Sequence, residues 1–344
     1  MNIKKLFLLI FGLLIAIGST LAYNYYNKIY NPNTTREGFI YIPTNSNFKD
    51  VQNLVRPFLK RVKTFNWVAI KKNYPNTIKS GKYHISTGLN NNELVNLLRS
   101  GKQTTVNLSF NNQDTFEKLA GRISIQIEPD SITILKALTD LNFIEEAGFK
   151  NNTAIGMYIP NTYEFYWNTS AIEFRTKMLN EYHKFWNSTR KEQAKKLNLS
   201  INEVITLASI VQKETTNKNE RPMVARLYIN RLNDKWPLQA DPTIIFALKK
   251  ELGNETIIKR VLTKDLEINS PYNTYKNNGL PPGPIAMPDI SSINAVLNPA
   301  THNYYYMCAS ITSIGKHEFA KTLSQHNKNA VKYQKWLNKQ GVNR

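Results

Sequence analysis

Ser200-Ile201-Asn202-Glu203-Val204-Ile205-Thr206-Leu207-Ala208-Ser209-Ile210-Val211-Gln212-Lys213-Glu214-Thr215 is a helix written out in residue types. Ser200 to Glu203 form a capping box, in which the serine hydroxyl accepts from the third helical amide and the glutamate reaches back to the cap. Val204, Leu207, Ala208 and Val211 then recur at helical spacing, so a stripe of this helix is buried and a domain must be built against it. Glu214 falls three residues after Val211 and seven after Leu207, on that apolar face. A carboxyl there is partly desolvated, and a helix ending near Thr215 also turns its negative end toward it. Both effects disfavour the ionised form. Such a group keeps its proton near neutrality and can hand it to a leaving oxygen as a general acid. The alternative is a helix-end glutamate that bends to solvent or pairs with Arg221 or Arg226. Gln212 and Lys213 rotate to other faces.

The chain around this helix has 344 residues, with 45 Lys and Arg against 25 Asp and Glu, a formal charge of +20. At 41% hydrophobic and 11% aromatic it has material for a core, which excludes a wholly disordered or collagen-like chain. A single cysteine, Cys308, excludes an internal disulfide framework and any multi-cysteine zinc or iron–sulfur centre. The five histidines, at 84, 183, 302, 317 and 326, lack ligand spacing, so no metal site is expected.

Lys4 and Lys5 precede an apolar run from Leu6 to Ala22, followed by Tyr23, Tyr25 and Tyr26. At ~1.5 Å per residue this run gives about 25 Å of helix against a ~30 Å hydrocarbon core, and the tyrosines can lengthen it at the interface. It reads as a single-pass anchor in the inner (cytoplasmic) membrane. The alternative is a cleaved signal peptide ending at Thr20-Leu21-Ala22. The flanking lysines place residues 27–344 on the outer, periplasmic side. A nucleic-acid partner is therefore not expected; anionic lipid headgroups and wall polymers are the plausible targets of the positive charge.

Past a polar connector at 27–36 lies a near-repeat. Ile40, Ile42, Thr44, Asn47, Asp50, Val51, Leu54 and Val55 recur 43 residues later as Tyr83, Ile85, Thr87, Asn90, Glu93, Leu94, Leu97 and Leu98. Each copy reads as strand, turn and helix, with Asn47 and Asn90 as N-caps and an acid three positions on. The segment 37–106 is thus a small LysM-like α+β module, with a glycan-binding role and a rigid spacer as its two readings. Gly101 stops the second helix, Val106, Leu108 and Phe110 begin another strand, and a helical stretch starts near Asp114. Residues 107–155 read as a polar, mostly helical connecting segment. From Tyr158 to Trp167 aromatics alternate with hydrogen-bonding residues, which suits the apolar face and hydroxyl rim of a sugar and equally a core strand.

Several blocks follow in a fixed order: Leu207 to Thr215, Glu220-Arg221, Val224-Ala225, Tyr228-Ile229-Asn230-Arg231-Leu232, Leu238 to Ile245, Ser270-Pro271-Tyr272-Asn273-Thr274-Tyr275, Gly279 to Ile285, Lys316-His317-Glu318-Phe319 and Ser324-Gln325-His326-Asn327-Lys328. Together they resemble the endolytic murein transglycosylase (YceG-like) family, and the anchor and small module fit that family's layout. The resemblance implies an α+β protein: an N-terminal transmembrane helix over 1–26, the LysM-like module, and a larger α+β catalytic domain over 156–344. It implies an enzyme, a lyase that cleaves the β-1,4 bond between N-acetylmuramic acid and N-acetylglucosamine in nascent peptidoglycan strands. The product carries a 1,6-anhydro-muramic end, and glycan elongation is terminated. Peptidoglycan synthases are the implied protein partners, and no cofactor is required.

By that resemblance Glu214 is the catalytic acid/base. Glycoside hydrolases usually pair two carboxylates, because an enzyme nucleophile or activated water must attack the anomeric carbon. When the C6 hydroxyl of the sugar attacks instead, one carboxyl can protonate the leaving oxygen and then take the hydroxyl proton. Glu220, Gln239, Asp241, Thr243, Tyr272, Asn273, Thr274, Tyr275, His317, Phe319, His326 and Asn327 match family blocks and are the candidate substrate contacts. Asp241 before Pro242 reads equally as a helix cap, and His317 and His326 equally as structural histidines. Glu220 is the reserve acid, although the first turn of the helix after it favours its ionised form. Gln212 stands where the family often has glutamate, which leaves Glu214 the lone acid of its segment. The competing class is a non-catalytic, wall-binding scaffold.

Overall fold

The computed structural model describes residues 3–258 and 260–339. The outermost residues of the anchor and catalytic segments, 1–2 and 340–344, lie outside the described residues. The chain divides into two units, the first comprising 1–108, 124–129 and 163–170 and the second comprising 109–123, 130–162 and 171–344. Both mix helices and short strands, so the architecture is α+β.

The first unit begins with α1 (Ile3–Tyr30), a 28-residue helix with no buried residue and a mean hydropathy of 2.3 across its most apolar window. It is long and apolar enough to cross a membrane. Next come β1 (Gly38–Ile42), α2 (Phe48–Val55), α3 (Val62–Lys71), β2 (Gly81–Ile85), α4 (Asn91–Ser100) and all but the last two residues of β3 (Thr105–Phe110). β1 and β2 pair antiparallel with Ile40 opposite Tyr83. Period-2 alternation sends Ile40, Ile42, Tyr83 and Ile85 inward, onto Val51, Val55, Leu94 and Leu98 from the helices. Both repeated asparagines cap: Asn47 accepts from the Asp50 amide and Asn90 from the Glu93 amide, each in a full capping box. Gly101 ends α4 at φ 72°, a backbone angle glycine adopts without strain. The repeat gave no sign of α3, which packs against α1 and α4 and supplies Phe65 and Val68 to the core.

The end of α1 is tied into this unit by a buried amide. Asn91 Nδ2 donates to the Lys28 carbonyl at 2.7 Å and to Thr64 Oγ1 at 3.0 Å, while its Oδ1 accepts from Asn33 Nδ2 at 2.7 Å. Tyr25 packs against Trp67 beside it, with Lys28 over both rings.

The second unit holds α5 (Phe116–Ser124, all but its last residue), α6 (Ser131–Leu138), α7 (Leu141–Glu146), the start of β4 (Asn161–Tyr166), α8 (Ala171–Phe185), α9 (Ser188–Lys196), α10 (Ile201–Glu214), α11 (Arg221–Asn233), α12 (Asp241–Leu252), α13 (Ile290–Leu297), β5 (Tyr306–Ala309), β6 (His317–Ala320) and α14 (Leu323–Lys339). The stretch read as a connection thus contributes three helices, and most of it belongs to this unit. Tyr158 of the aromatic run is core, edge-on to Phe116 and stacked on Phe174. Trp167 belongs to the first unit, where it meets Tyr41.

α10 is the axis of the second unit. Its Ser200 cap and Glu203 partner form the expected capping box. Residues 204 to 212 are all buried, so the helix is enclosed on every side rather than along a stripe, with α9, α11, α12 and α13 against it. Close approach at one point requires glycine: a Cβ at Gly156 would sit 2.7 Å from Ile205 Cγ2. β5 and β6 pair antiparallel, Tyr306 opposite Ala320, and α14 packs on both.

Asn91→Ala leaves the Lys28 carbonyl without its partner and opens a void. Protection from hydrogen exchange at the amides joining α1 and α4 is expected to fall by about 1–3 kcal/mol, and unchanged protection would show that the amide ties nothing down.

Candidate active site

Glu214 is the last residue of α10, and Thr215 leaves the helix with φ −137° and ψ 132°. Part of the side chain remains open to solvent, yet protein atoms crowd its carboxyl densely. It is reachable from outside and poorly hydrated at once. Burial is the largest influence on its proton affinity and raises its pKa above the ordinary 4.5. The Tyr228 hydrogen bond, the His317 charge and the Arg231 charge pull the other way, while Asp241 adds to the rise.

Tyr228 and Arg231 come from one face of α11. The Tyr228 hydroxyl donates to Glu214 Oε1. That tyrosine is itself buried, and burial followed by the adjacent Glu214 charge holds its hydroxyl protonated far above the usual tyrosine range. Arg231 is 8% exposed and donates Nε to the Tyr305 carbonyl at 2.8 Å and Nη1 to the Leu238 carbonyl at 2.5 Å. Among the described residues no carboxylate forms an ion pair with it. Its charge is therefore satisfied by carbonyl oxygens and stays available to the field of the crevice. These two residues stood in a quoted block without a role. Their signal was a phenol and a guanidinium three residues apart among Val224, Ala225 and Leu227, where only an internal polar site explains them.

Glu220 and His317 form a second pair. The buried Glu220 accepts from Thr215 Oγ1 at 2.9 Å and from the His317 amide at 2.6 Å, and its Oε2 lies 2.9 Å from His317 Nδ1. His317, brought by β6, therefore faces Glu220 with one ring nitrogen while its charge acts on Glu214. Asp241 opens α12 as its first residue; the cap is Ala240, which has no capping side chain. Asp241 accepts from the Tyr275 hydroxyl at 2.5 Å. Burial, then that hydrogen bond, lifts the Tyr275 pKa.

Other candidate residues build the walls. Thr243 donates to the Ala240 carbonyl at 2.7 Å and meets Thr274 Oγ1 at 2.8 Å, and Thr274 accepts from the Ala240 amide. Gln239, exposed and at φ 50°, is joined to the same strut by its amide, which donates to the Thr274 carbonyl. Asn273 is fully buried, donating to the Leu266 and Ile268 carbonyls and accepting from the Tyr275 amide, each at 2.9 Å. Tyr272 lies against Phe246, ring centroids 4.6 Å apart. Phe319 sits between His317 and Tyr304, and His326 stacks on Tyr306. Burial lowers the pKa of His326, with Arg231 adding to it. Asn327 is exposed on α14 and takes no part in these contacts. Gln212 is buried away from the crevice: Nε2 donates to the Met287 carbonyl at 3.1 Å and Oε1 accepts from the Asp289 amide at 2.5 Å. Among the described residues no cluster of His, Cys, Asp or Glu is arranged to hold a metal ion.

This geometry can give up and retake a proton at one poorly hydrated carboxyl, near phenols, an imidazole and a guanidinium that has no carboxylate partner among the described residues. Fold and site together describe an α+β protein with a poorly hydrated carboxyl at the end of a buried helix. The chain belongs to the YceG-like family, which it matches over residues 40–332. It is 31% identical to an endolytic murein transglycosylase of Bacillus subtilis (strain 168), over 86% of this chain and 84% of that one. A Streptococcus pneumoniae (strain R6) protein of the same name is 27% identical, over 94% of this chain and 64% of its own greater length. A crystal structure of a yceG-like protein from Listeria monocytogenes superposes with a TM-score of 0.56 at 29% identity, covering 85% of this chain and 98% of that one.

Because the folded pKa of Glu214 is raised, folding favours its protonated form. The group costs nothing below its unfolded value near 4.5, becomes progressively destabilising as pH rises from there to the folded value, and carries a constant penalty above it. Glu214→Gln should therefore gain stability over the parent as pH rises, by about 1.4 kcal/mol for each pH unit by which the midpoint is displaced. Urea unfolding at acid and neutral pH measures this, and a stability gap that ignores pH would contradict the desolvated carboxyl.

Proposed function

We propose that this chain is a membrane-anchored lytic transglycosylase that cleaves the β-1,4 bond between N-acetylmuramic acid and N-acetylglucosamine within nascent peptidoglycan strands. The observation that carries the reading is Glu214, whose crowded carboxyl has its proton affinity raised while part of the side chain stays open to solvent. Membership of the YceG-like family and the name of its relatives support the substrate.

The Tyr228 hydroxyl occupies Oε1, which leaves Oε2 to carry the transferable proton. That proton passes to the glycosidic oxygen as its bond to C1 of the muramic acid breaks. The resulting carboxylate then takes the proton of the C6 hydroxyl while that oxygen bonds to C1. One product ends in a 1,6-anhydro ring, the other in a new hydroxyl, and Glu214 is again protonated. No water is consumed. The positive charge of Arg231, joined by that of His317 when it is protonated, eases the interval in which Glu214 is anionic. Asp241 with Tyr275, and Glu220 with His317, offer hydrogen-bonding edges to the sugars flanking the bond.

α1 serves as a single-pass anchor with the rest of the chain on the outer face. Its unbroken passage into the first unit, fastened by Asn91 at Lys28, supports retention. The strand–helix repeat over 37–106 acts as a LysM-like module beside the catalytic domain. Synthases that polymerise glycan at the same membrane are the partners this placement suits, and ending a growing strand is the outcome.

Digesting uncrosslinked glycan with the full chain should release anhydro-ended fragments, lighter by one water than hydrolytic ones. Glu214→Gln should lower the rate roughly 10²- to 10⁴-fold, the range for a lost general acid. Water-added products, or a rate untouched by that substitution, would defeat the reading, and binding without cleavage would favour the scaffold. Tyr228→Phe removes a bond that stabilises the carboxylate, so the alkaline limb of the kcat/KM profile should move to higher pH.

A further inference from the structure

Next to the crevice, the second unit has a recess that the reaction as derived leaves unused. Its floor is apolar, made by Pro242, Ile245 and Phe246 along one face of α12 together with Ile285. Three lysines stand round it, Lys118, Lys213 and Lys249. The recess adjoins the crevice through the chain itself, since Lys213 precedes Glu214 and Pro242 follows Asp241.

The charge on the rim does not cancel internally. Lys213 Nζ lies 2.6 Å from Asp114 Oδ1, a formed pair. Lys118 reaches Glu255 only at 3.7 Å, and that carboxylate is 89% exposed, so water screens the contact. Lys249 has no ion-pair partner among the described residues. An occupant must lay alkyl surface on the floor and bring an anion to Lys118 and Lys249. A neutral sugar ring satisfies neither demand well, whereas a short peptide with methyl side chains and free carboxylates satisfies both.

We propose that this recess seats the peptide stem carried by the glycan strand, with α12 taking the alanyl methyls and Lys118 and Lys249 the carboxylates; this rests on peptidoglycan being the substrate. Stem-bearing strands are thereby held in register at Glu214, and the enzyme distinguishes them from naked glycan.

The test compares uncrosslinked strands that keep their stems with the same strands stripped by an amidase. Binding is measured with the full-length Glu214→Gln chain, so that affinity is read without turnover, and kcat/KM with the native chain. Stem-bearing strands should bind roughly threefold to tenfold more tightly, what two half-exposed ion pairs contribute, with the same factor in kcat/KM. Lys118→Glu with Lys249→Glu should abolish the preference and leave affinity for stripped strands unchanged. Lys191→Glu with Lys195→Glu, the same change of net charge on exposed α9, should keep it. Equal affinity of the parent for both strands overturns the proposal, as does loss of the preference in the α9 variant, which would mean that the chain's overall charge attracts the stem. If the native chain cleaves neither strand, the transglycosylase reading fails while the binding comparison still decides the stem site.

Discussion

Removal of water from the Glu214 carboxyl is the constraint on which the second unit depends. A carboxyl at the end of an exposed helix ionises near its ordinary pKa; crowded by protein, it holds its proton more tightly. Crowding needs walls on every side, and here they come from distant parts of the chain: Tyr228 and Arg231 on α11, Asp241 on α12, Tyr275 from the following loop and His317 on β6. Each wall is polar toward the crevice and must remain rigid behind it. Thr243 and Thr274 join one wall to the next, and the Asn273 side chain fixes the loop between them through four backbone groups. Arg221 grips Asp289 through two contacts of 2.8 Å, at the foot of α13. Saturated buried polar groups of this kind give a cavity one shape, since any alternative leaves a donor or acceptor unpaired.

The charges in the crevice act as a set. Desolvation raises the Glu214 pKa and so disfavours its anion. Arg231, His317 and the Tyr228 hydroxyl each favour the anion and limit the rise, and Asp241 opposes them. Arg231 can do this because its nitrogens are spent on the Tyr305 and Leu238 carbonyls rather than on a carboxylate. Pairing it with an acid would cancel the field that matters at Glu214.

The parts of this arrangement legible in the sequence were those set by local rules. The Ser200 capping box, the two asparagine caps and the strand–helix repeat follow from contacts a few residues apart, and each is found where the spacing put it. The apolar face under Glu214 was legible for the same reason. Enclosure of α10 on all sides was not, because Thr206, Ser209 and Gln212 look like a solvent face until their partners are known. Thr206 donates to its own helix at Asn202, Ser209 accepts from the Ile285 amide, and Gln212 reaches Met287 and Asp289. The same limit hid Tyr228, whose partner lies on α10, and Arg231, which reaches the distant Tyr305 carbonyl as well as the nearby one of Leu238. It also hid the partners of Thr243, Asn273 and Thr274, whose hydrogen bonds run to backbone groups and to one another.

Gln212 shows how one substitution divides the labour on α10. Its amide uses both functions at once, donating to the Met287 carbonyl and accepting from the Asp289 amide and, at 3.4 Å, from the Ser292 hydroxyl. A glutamate there could keep the acceptor side, but its second oxygen would face the Met287 carbonyl at about the 3.1 Å now spanned by a hydrogen bond. Two acceptors so placed repel unless a proton sits between them, so such a glutamate would be held neutral. The amide meets the same geometry with no proton and no dependence on pH. The contact that positions Asp289 therefore does not titrate through residue 212, which leaves Glu214 as the carboxyl at the end of α10.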